Sequence, residues 1–201
     1  MMVKICGITN PEDALAAAEA GASAVGFNFY PASPRYIEPE EAARISEVLP
    51  AGVLRVGVFV NASKQEIFRI QEIAGLHIAQ LHGDEPPESL PKGMRLWKAL
   101  RVDDSFGPSK MEPYNVEAFL LDAPSELYGG SGCTFDWSKA CGTGRRIVLA
   151  GGLDENNVGQ AIRTAKPWGV DACSRLETAP GRKDHARMAR FLEAALMEET
   201  G

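Results

Sequence analysis

Apolar, β-rich runs recur along the chain at Val3–Cys6, Ala24–Phe29, Leu54–Val60, His77–Leu81, Met94–Leu100, Ala118–Asp122, Ile147–Ala150 and Gly169–Cys173. Several are apolar at nearly every position, the pattern of strands buried on both faces of a parallel sheet. Between them the period changes. Val158, Ala161, Ile162 and Ala165 fall at i, i+3, i+4 and i+7, and Met188, Leu192 and Ala195, flanked by Phe191 and Leu196, form a second helical face. Weaker stripes run through Ala42, Ile45 and Leu49 and through Ile67, Ile70 and Ala74. Asn10-Pro11-Glu12-Asp13 predicts a helix start: a cap, a proline suited to the first helical position, and two acids in the first turn.

Eight strands alternating with helices predict an α/β protein, a (β/α)8 TIM barrel, with residues 1–201 forming a single domain. A doubly wound open sheet is the alternative. Two helical slots are weak. Asp84–Lys92 contains Pro86, Pro87 and Pro91, which predicts a shortened fourth helix. The fifth, from Val102 through Phe106-Gly107-Pro108 to Pro113, has little periodicity and predicts an eroded helix that is mostly loop. No linker, repeat or low-complexity tract divides the chain.

Composition narrows the function classes. With 45% hydrophobic and 24% charged residues in 201, the chain reads as an ordinary soluble globular protein. No apolar run approaches the roughly 18–20 residues of a membrane span. The N-terminus has no secretion signal, so a cytoplasmic location is expected. Cys6, Cys133, Cys141 and Cys173 have no C-x-x-C spacing and do not cluster with His77, His82 or His185. Neither a metal site nor a disulfide framework is expected, and free thiols in a reducing cytosol fit best. A net charge of −6 and a pI near 5.2 argue against a nucleic-acid surface, so the charge that binds an anionic substrate must be local.

In a barrel, ligand chemistry collects just after each strand. The first strand ends on Cys6, and Gly7 lets the chain turn. A thiol there is either a small buried apolar side chain or a group held at the ligand-facing edge. The second strand gives Asn28 and Tyr30, then a polar loop, Pro31–Tyr36. Arg35 in that loop suits bidentate binding of a carboxylate, unless it is an ordinary solvated arginine. The fourth gives Gln80 and His82, either a ligand contact or a hydrogen-bonded structural histidine. The sixth ends on Asp122, an acid that is either paired or kept for proton transfer. Gly129 and Gly130 follow in a loop that closes over a ligand or simply decorates the surface. The seventh gives Gly151-Gly152 before Asp154, a candidate cap. Backbone N–H groups there suit a phosphate at a helix N-terminus, and Ser174 and Arg175 after the eighth strand complete such a site. Lys4 shares a strand face with Cys6, points inward and needs a partner, and Asp171 is expected to pair within the barrel.

Taken in order, several segments resemble one family. They are Lys4-Ile5-Cys6-Gly7-Ile8-Thr9, Gly26-Phe27-Asn28-Phe29-Tyr30 with Ser33-Pro34-Arg35-Tyr36-Ile37, Val56-Gly57-Val58-Phe59-Val60-Asn61, and Gln80-Leu81-His82-Gly83-Asp84. Leu121-Asp122, Tyr128-Gly129-Gly130-Ser131-Gly132, Phe135-Asp136-Trp137 and Ala150-Gly151-Gly152-Leu153 complete the set. Each is weak alone, but their ordered combination closely resembles phosphoribosylanthranilate isomerases of tryptophan biosynthesis.

The resemblance implies a barrel without cofactor that performs an Amadori rearrangement of N-(5'-phosphoribosyl)anthranilate. By position it implies Cys6 as general base, Asp122 as general acid and Arg35 as holder of the anthranilate carboxylate. It places the phosphate at the backbone around Gly151, Gly152 and Ser174. The partner implied is a small phosphorylated anionic substrate, with no nucleic acid or membrane, and the protein is expected as a monomer or homodimer. Two positions depart from the family pattern: Cys133 where a lysine is common, and Cys173-Ser174-Arg175 where Ser-Ser-Gly is common. A free thiol with a pKa of about 8.5 is mostly protonated at neutral pH. An electropositive setting for Cys6 is therefore expected, from Lys4 or the following helix N-terminus.

Three rivals differ at particular residues. The related histidine-pathway isomerase would end its first strand with an acid. A Schiff-base aldolase would need a pocket lysine, for which Lys98 is the candidate. A non-catalytic anion-binding module would have no use for both Cys6 and Asp122.

Overall fold

β1 (Met2–Cys6) begins a ladder of parallel strands that closes on itself. β2 (Ala24–Asn28), β3 (Leu54–Phe59), β4 (Ile78–Leu81), β5 (Arg95–Arg101), β6 (Ala118–Asp122), β7 (Ile147–Leu149) and β8 (Gly169–Ala172) follow in order, and β8 pairs with β1. The computed structural model describes residues 1–124 and 133–198. Closure removes both sheet edges, which excludes the open-sheet alternative.

The helices start and stop where local chemistry dictates. Asn10 accepts from the Asp13 N–H at the start of α1 (Pro11–Glu19). α2 spans Pro39–Val48, with proline in its first turn. Ser63 caps α3 (Lys64–Ala74), and Gly75 ends it in the left-handed conformation. α4 (Val158–Ala165) and α5 (His185–Met197) carry the two strong apolar stripes, and Val158, Ala161, Ile162 and Ala165 are all buried. The fourth and fifth slots hold only 3₁₀ turns, Pro87–Ser89 and Pro108–Met111, where prolines remove backbone donors. Among the described residues the sixth slot holds a 3₁₀ turn, Trp137–Ala140, which the sequence pattern does not announce.

Strand alternation sorts the side chains. One set packs outward against the helices, including Val3, Ile5, Val25, Phe27, Leu121 and Val170. The other fills the barrel axis. Its lower part is apolar: Met2, Ala24, Val56, Ile78, Trp97, Ala118, Leu120 and Val148. Trp168 meets Trp97 edge to face, with ring centroids 5.9 Å apart. Burying each large apolar side chain here is worth about 1.5–3 kcal/mol. Above this plug the same inward positions become polar, beginning with Lys4 and Asp171.

After β8 the chain makes a small antiparallel hairpin, β9 (Glu177–Ala179) and β10 (Arg182–Lys183). The Thr9 hydroxyl donates to the Gly181 carbonyl at 2.5 Å, and the Lys183 N–H donates to Asp13 Oδ2 at 2.8 Å. Asp13 also meets His185 Nε2 at 2.8 Å. One buried carboxylate on α1 thus ties down both the hairpin and the start of α5.

Candidate active site

At the carboxyl end of β1, Cys6 stands over a buried ion pair. Lys4 Nζ donates to Asp171 Oδ1 at 3.0 Å, as strand alternation leads one to expect. Gly26 on β2 leaves the room: a Cβ there would lie 2.8 Å from Cys6 Sγ and 3.1 Å from Lys4 Nζ. Burial alone would pull the Lys4 ammonium down, but the negative charges of Asp171 and Cys6 outweigh it and hold Lys4 above its ordinary value. Burial pushes Asp171 up to about 7 against the pull of Lys4. Cys173 follows the neighbouring strand on the same inward face, its Sγ 2.9 Å from where a Cβ of Gly7 would be. A hydrogen bond from that thiol, with Lys4 and Lys183, outweighs the cost of burial and holds Cys6 well below an ordinary thiol. The electropositive setting expected for Cys6 is present, and Lys4 is part of it.

Arg35 sits beside this group. Asn28 Nδ2 donates to Ser33 Oγ, and the Arg35 N–H donates to the same oxygen at 3.2 Å, which folds the Pro31–Tyr36 loop back over the barrel. The guanidinium meets a protein carboxylate. Arg35 Nε donates to Glu177 Oε1 at 2.9 Å, and Nη2 donates to Oε2 at 2.7 Å. Lys183 Nζ donates to Glu177 Oε1 at 2.9 Å. Burial would raise Glu177, but the bonds from Arg35 and Lys183 outweigh it and keep it below the usual carboxylate range. Read from the sequence alone, Arg35 is a ligand-binding or solvated arginine. The structure adds a partner that neither reading includes: Glu177, a residue 142 positions away, grips one edge of the guanidinium.

Asp122 ends β6 across the mouth. Its Oδ1 accepts from the Ala123 N–H at 2.8 Å, and its Oδ2 lies 3.4 Å from His82 Nε2. Gln80 Nε2 meets His82 Nδ1 at 3.1 Å. His82 is therefore held between an amide and the acid at the mouth, as a hydrogen-bonded histidine.

A cleft between the ends of β6, β7 and β8 is lined by Asp122, Gly151, Gly152, Cys173, Ser174 and Arg175. Gly151 has φ +81°, and a Cβ there would meet the Ala123 nitrogen at 2.7 Å. It thus both turns the chain and lets β7 approach the acid strand. The anticipated helix N-terminus is displaced. α4 starts at Val158 with Asn157 as its cap residue, and Asp154 instead accepts from the Asn156 N–H in a preceding turn. The reason is local: the Asn157 side chain bonds the Asp154 N–H and the Gly152 carbonyl, which builds a turn before the helix can begin. Arg175, half exposed, lies 3.4 Å from Asp154 Oδ2 at the rim of the cleft. Gly129 and Gly130 lie outside the described residues.

Lys98 is not poised as a nucleophile. Strand alternation turns it outward from the axis, between Trp97 and Ala99. Its ammonium is buried, paired with Glu85 Oε2 at 2.9 Å, and donates to the Gly83 carbonyl at 2.7 Å. Three residues of the base cluster escape sequence reasoning: Cys173, Glu177 and Lys183. Only Cys173 has a local signal, since it lies two positions after the inward-facing Asp171.

The model of the N-(5'phosphoribosyl)anthranilate (PRA) isomerase family matches residues 3–194. The N-(5'-phosphoribosyl)anthranilate isomerase of Solibacter usitatus is 52% identical over 196 residues, covering 97% of each chain. The solved phosphoribosyl anthranilate isomerase of Thermus thermophilus has a TM-score of 0.91 at 38% identity, covering 98% of this chain and 99% of that one. Another solved member of the same family, in complex with reduced 1-(o-carboxyphenylamino)-1-deoxyribulose 5-phosphate, has a TM-score of 0.85 at 41% identity. It covers 98% of this chain and 99% of that one.

Proposed function

The chain belongs to the N-(5'-phosphoribosyl)anthranilate isomerase family, and on that premise we propose that Cys6 is the general base and Asp122 the general acid of its reaction. The enzyme converts N-(5'-phosphoribosyl)anthranilate to 1-(2-carboxyphenylamino)-1-deoxyribulose 5-phosphate in tryptophan biosynthesis. Asp122 delivers a proton to the ribose ring oxygen, and the ring opens to a Schiff base. The iminium acidifies the C2′ hydrogen, the Cys6 thiolate removes it, and the resulting enolamine tautomerises to the ketone. Each proton transfer is worth roughly 10²–10⁴-fold. The observation that carries this reading is the group around Cys6, where two buried lysines and a second thiol favour a thiolate.

The remaining assignments follow from position. The N–H groups around Gly151, Gly152 and Ser174 receive the phosphate, with Arg175 at the rim. Glu177 fixes the Nε and Nη2 edge of Arg35, and the guanidinium's remaining N–H groups hold the anthranilate carboxylate. We read residues 1–201 as one domain, because strands from both ends of the chain close the barrel. A reducing cytosol suits a site with two neighbouring free thiols.

The test follows loss of substrate fluorescence for the wild type, Cys6→Ser and Asp122→Asn. Each variant is expected to lose turnover by about 10²–10⁴-fold while still binding product. Near-wild-type turnover by Cys6→Ser would remove the thiol from the mechanism.

A further inference from the structure

Cys173 is the thiol that the reaction as written does not use. It follows β8, and the β1–β8 register pairs Lys4 with Asp171 and Ile5 with Ala172, so Cys6 comes opposite Cys173. Neighbouring strands lie about 4.8 Å apart, which brings the two side chains together on the inward face. Cys173 Sγ also presses on the turn after Cys6, standing 2.9 Å from where a Cβ of Gly7 would be. We propose that Cys173 is a positioning residue for the isomerase: its S–H donates to the Cys6 sulfur, so the pair holds one proton and Cys6 carries the charge. This rests on the reading of Cys6 as the base.

The surroundings decide which sulfur is ionised. The charged groups facing Cys6 are Lys4 and its partner Asp171, Lys183 and its partner Glu177, and Arg35. Three cations stand against two carboxylates, and one thiolate neutralises the set. Lys4 lies on the strand of Cys6, and a Cβ at Gly26 would meet both its Nζ and the Cys6 sulfur. The Cys173 S–H has a second acceptor in Glu177 Oε1, at 3.9 Å the long limit of a thiol hydrogen bond, and that carboxylate is already taken by Arg35 and Lys183. Lys183 Nζ lies 3.8 Å from the Cys173 sulfur and donates to the Cys173 carbonyl at 3.4 Å. The bond to Cys6, and then burial, raise the Cys173 thiol well above its ordinary value, so it stays protonated and able to donate. When Cys6 takes the C2′ proton, its charge is lost and the S–H donor loses its anionic acceptor. The donor therefore favours the resting thiolate and sets how readily the base is available.

The experiment uses two readouts on the full-length wild type, Cys173→Ala and Cys173→Ser. The first is the pH dependence of kcat/KM. The second, independent of turnover, is the rate at which iodoacetamide alkylates Cys6, followed by mass spectrometry across pH. A hydrogen bond to a charged group is stronger than one between neutral groups, and a thiol is a weak donor. Cys173→Ala is therefore expected to move both midpoints up by about one pH unit. Cys173→Ser keeps a donor and is expected to hold both midpoints at or below the wild-type value. Unmoved midpoints in Cys173→Ala, or an equal rise in Cys173→Ser, overturn the proposal. The Cys6→Ser assay separates the two claims: if that variant turns over normally, the base assignment fails, whereas if it is dead and the alanine midpoints stay put, only the role of Cys173 fails.

Discussion

The two sides of the barrel mouth prepare their proton-transfer groups differently. On the β1–β8 side, Cys6 is surrounded by Lys4, Asp171, Cys173, Lys183, Glu177 and Arg35, half of them buried and most tied to one another by ion pairs. On the β6 side, the partners of Asp122 among the described residues are one backbone N–H and one imidazole. A thiol is mostly protonated at neutral pH, so it needs an elaborate set of charges to act as a base. A general acid faces the opposite demand: it must keep a proton at neutral pH, where an ordinary carboxyl has lost it, and a surround of cations would work against it. The chemistry each side must overcome sets the amount of buried charge around it.

That contrast makes graded predictions. The largest effect falls on the two groups themselves, with Cys6→Ser and Asp122→Asn each costing about 10²–10⁴-fold in kcat. Next comes Lys4→Met. It leaves Asp171 buried without its cation, which is expected to cost about 3–5 kcal/mol in urea unfolding, and it moves the acid limb of kcat/KM to higher pH. His82→Asn is the matching change on the acid side and is expected to cost under about tenfold in kcat, within the range of one modest hydrogen bond. If His82→Asn cost as much as Lys4→Met, the contrast would collapse.

Glu177→Gln tests the base side through stability. The carboxyl is held below its ordinary value in the fold, so its contribution is present above the unfolded value of about 4.3 and is lost as pH falls through the folded one. The wild-type advantage over Glu177→Gln in urea midpoint is expected to be constant above about pH 5 and to shrink below about pH 4.3. The smallest effect is that of Arg175→Ala. Its own side chain is half exposed and its pair with Asp154 is long at 3.4 Å, so KM is expected to rise by no more than about tenfold with kcat unchanged.

Strands and strand-end residues were legible because parallel strands are buried on both faces and a barrel gathers chemistry at one end. Lys4 pointing inward beside Cys6 followed from alternation, and the weak fourth and fifth slots followed from their prolines. The hairpin was not legible. Glu177 and Lys183 look like ordinary polar residues until the chain folds back and sets them against Arg35, and no local pattern carries a contact across 142 positions. The same distance explains why Arg35 read as open to a ligand when a protein carboxylate already holds one edge. The α4 start was misplaced because the Asn157 side chain builds a turn that competes with the helix cap.

The seam between β1 and β8 also governs when the enzyme comes alive during synthesis. Cys6 is made well before Asp171, Cys173, Glu177 and Lys183, and the Lys4–Asp171 bond spans 167 positions. Contacts of such long range close late, after the loop entropy between them has been overcome. A nascent chain that has completed six or seven strands therefore carries its future base as an ordinary thiol, without the charges that ionise it. A circular permutant that links α5 to β1 and opens the chain after β4 would make this seam local. Its base site would then form early rather than last.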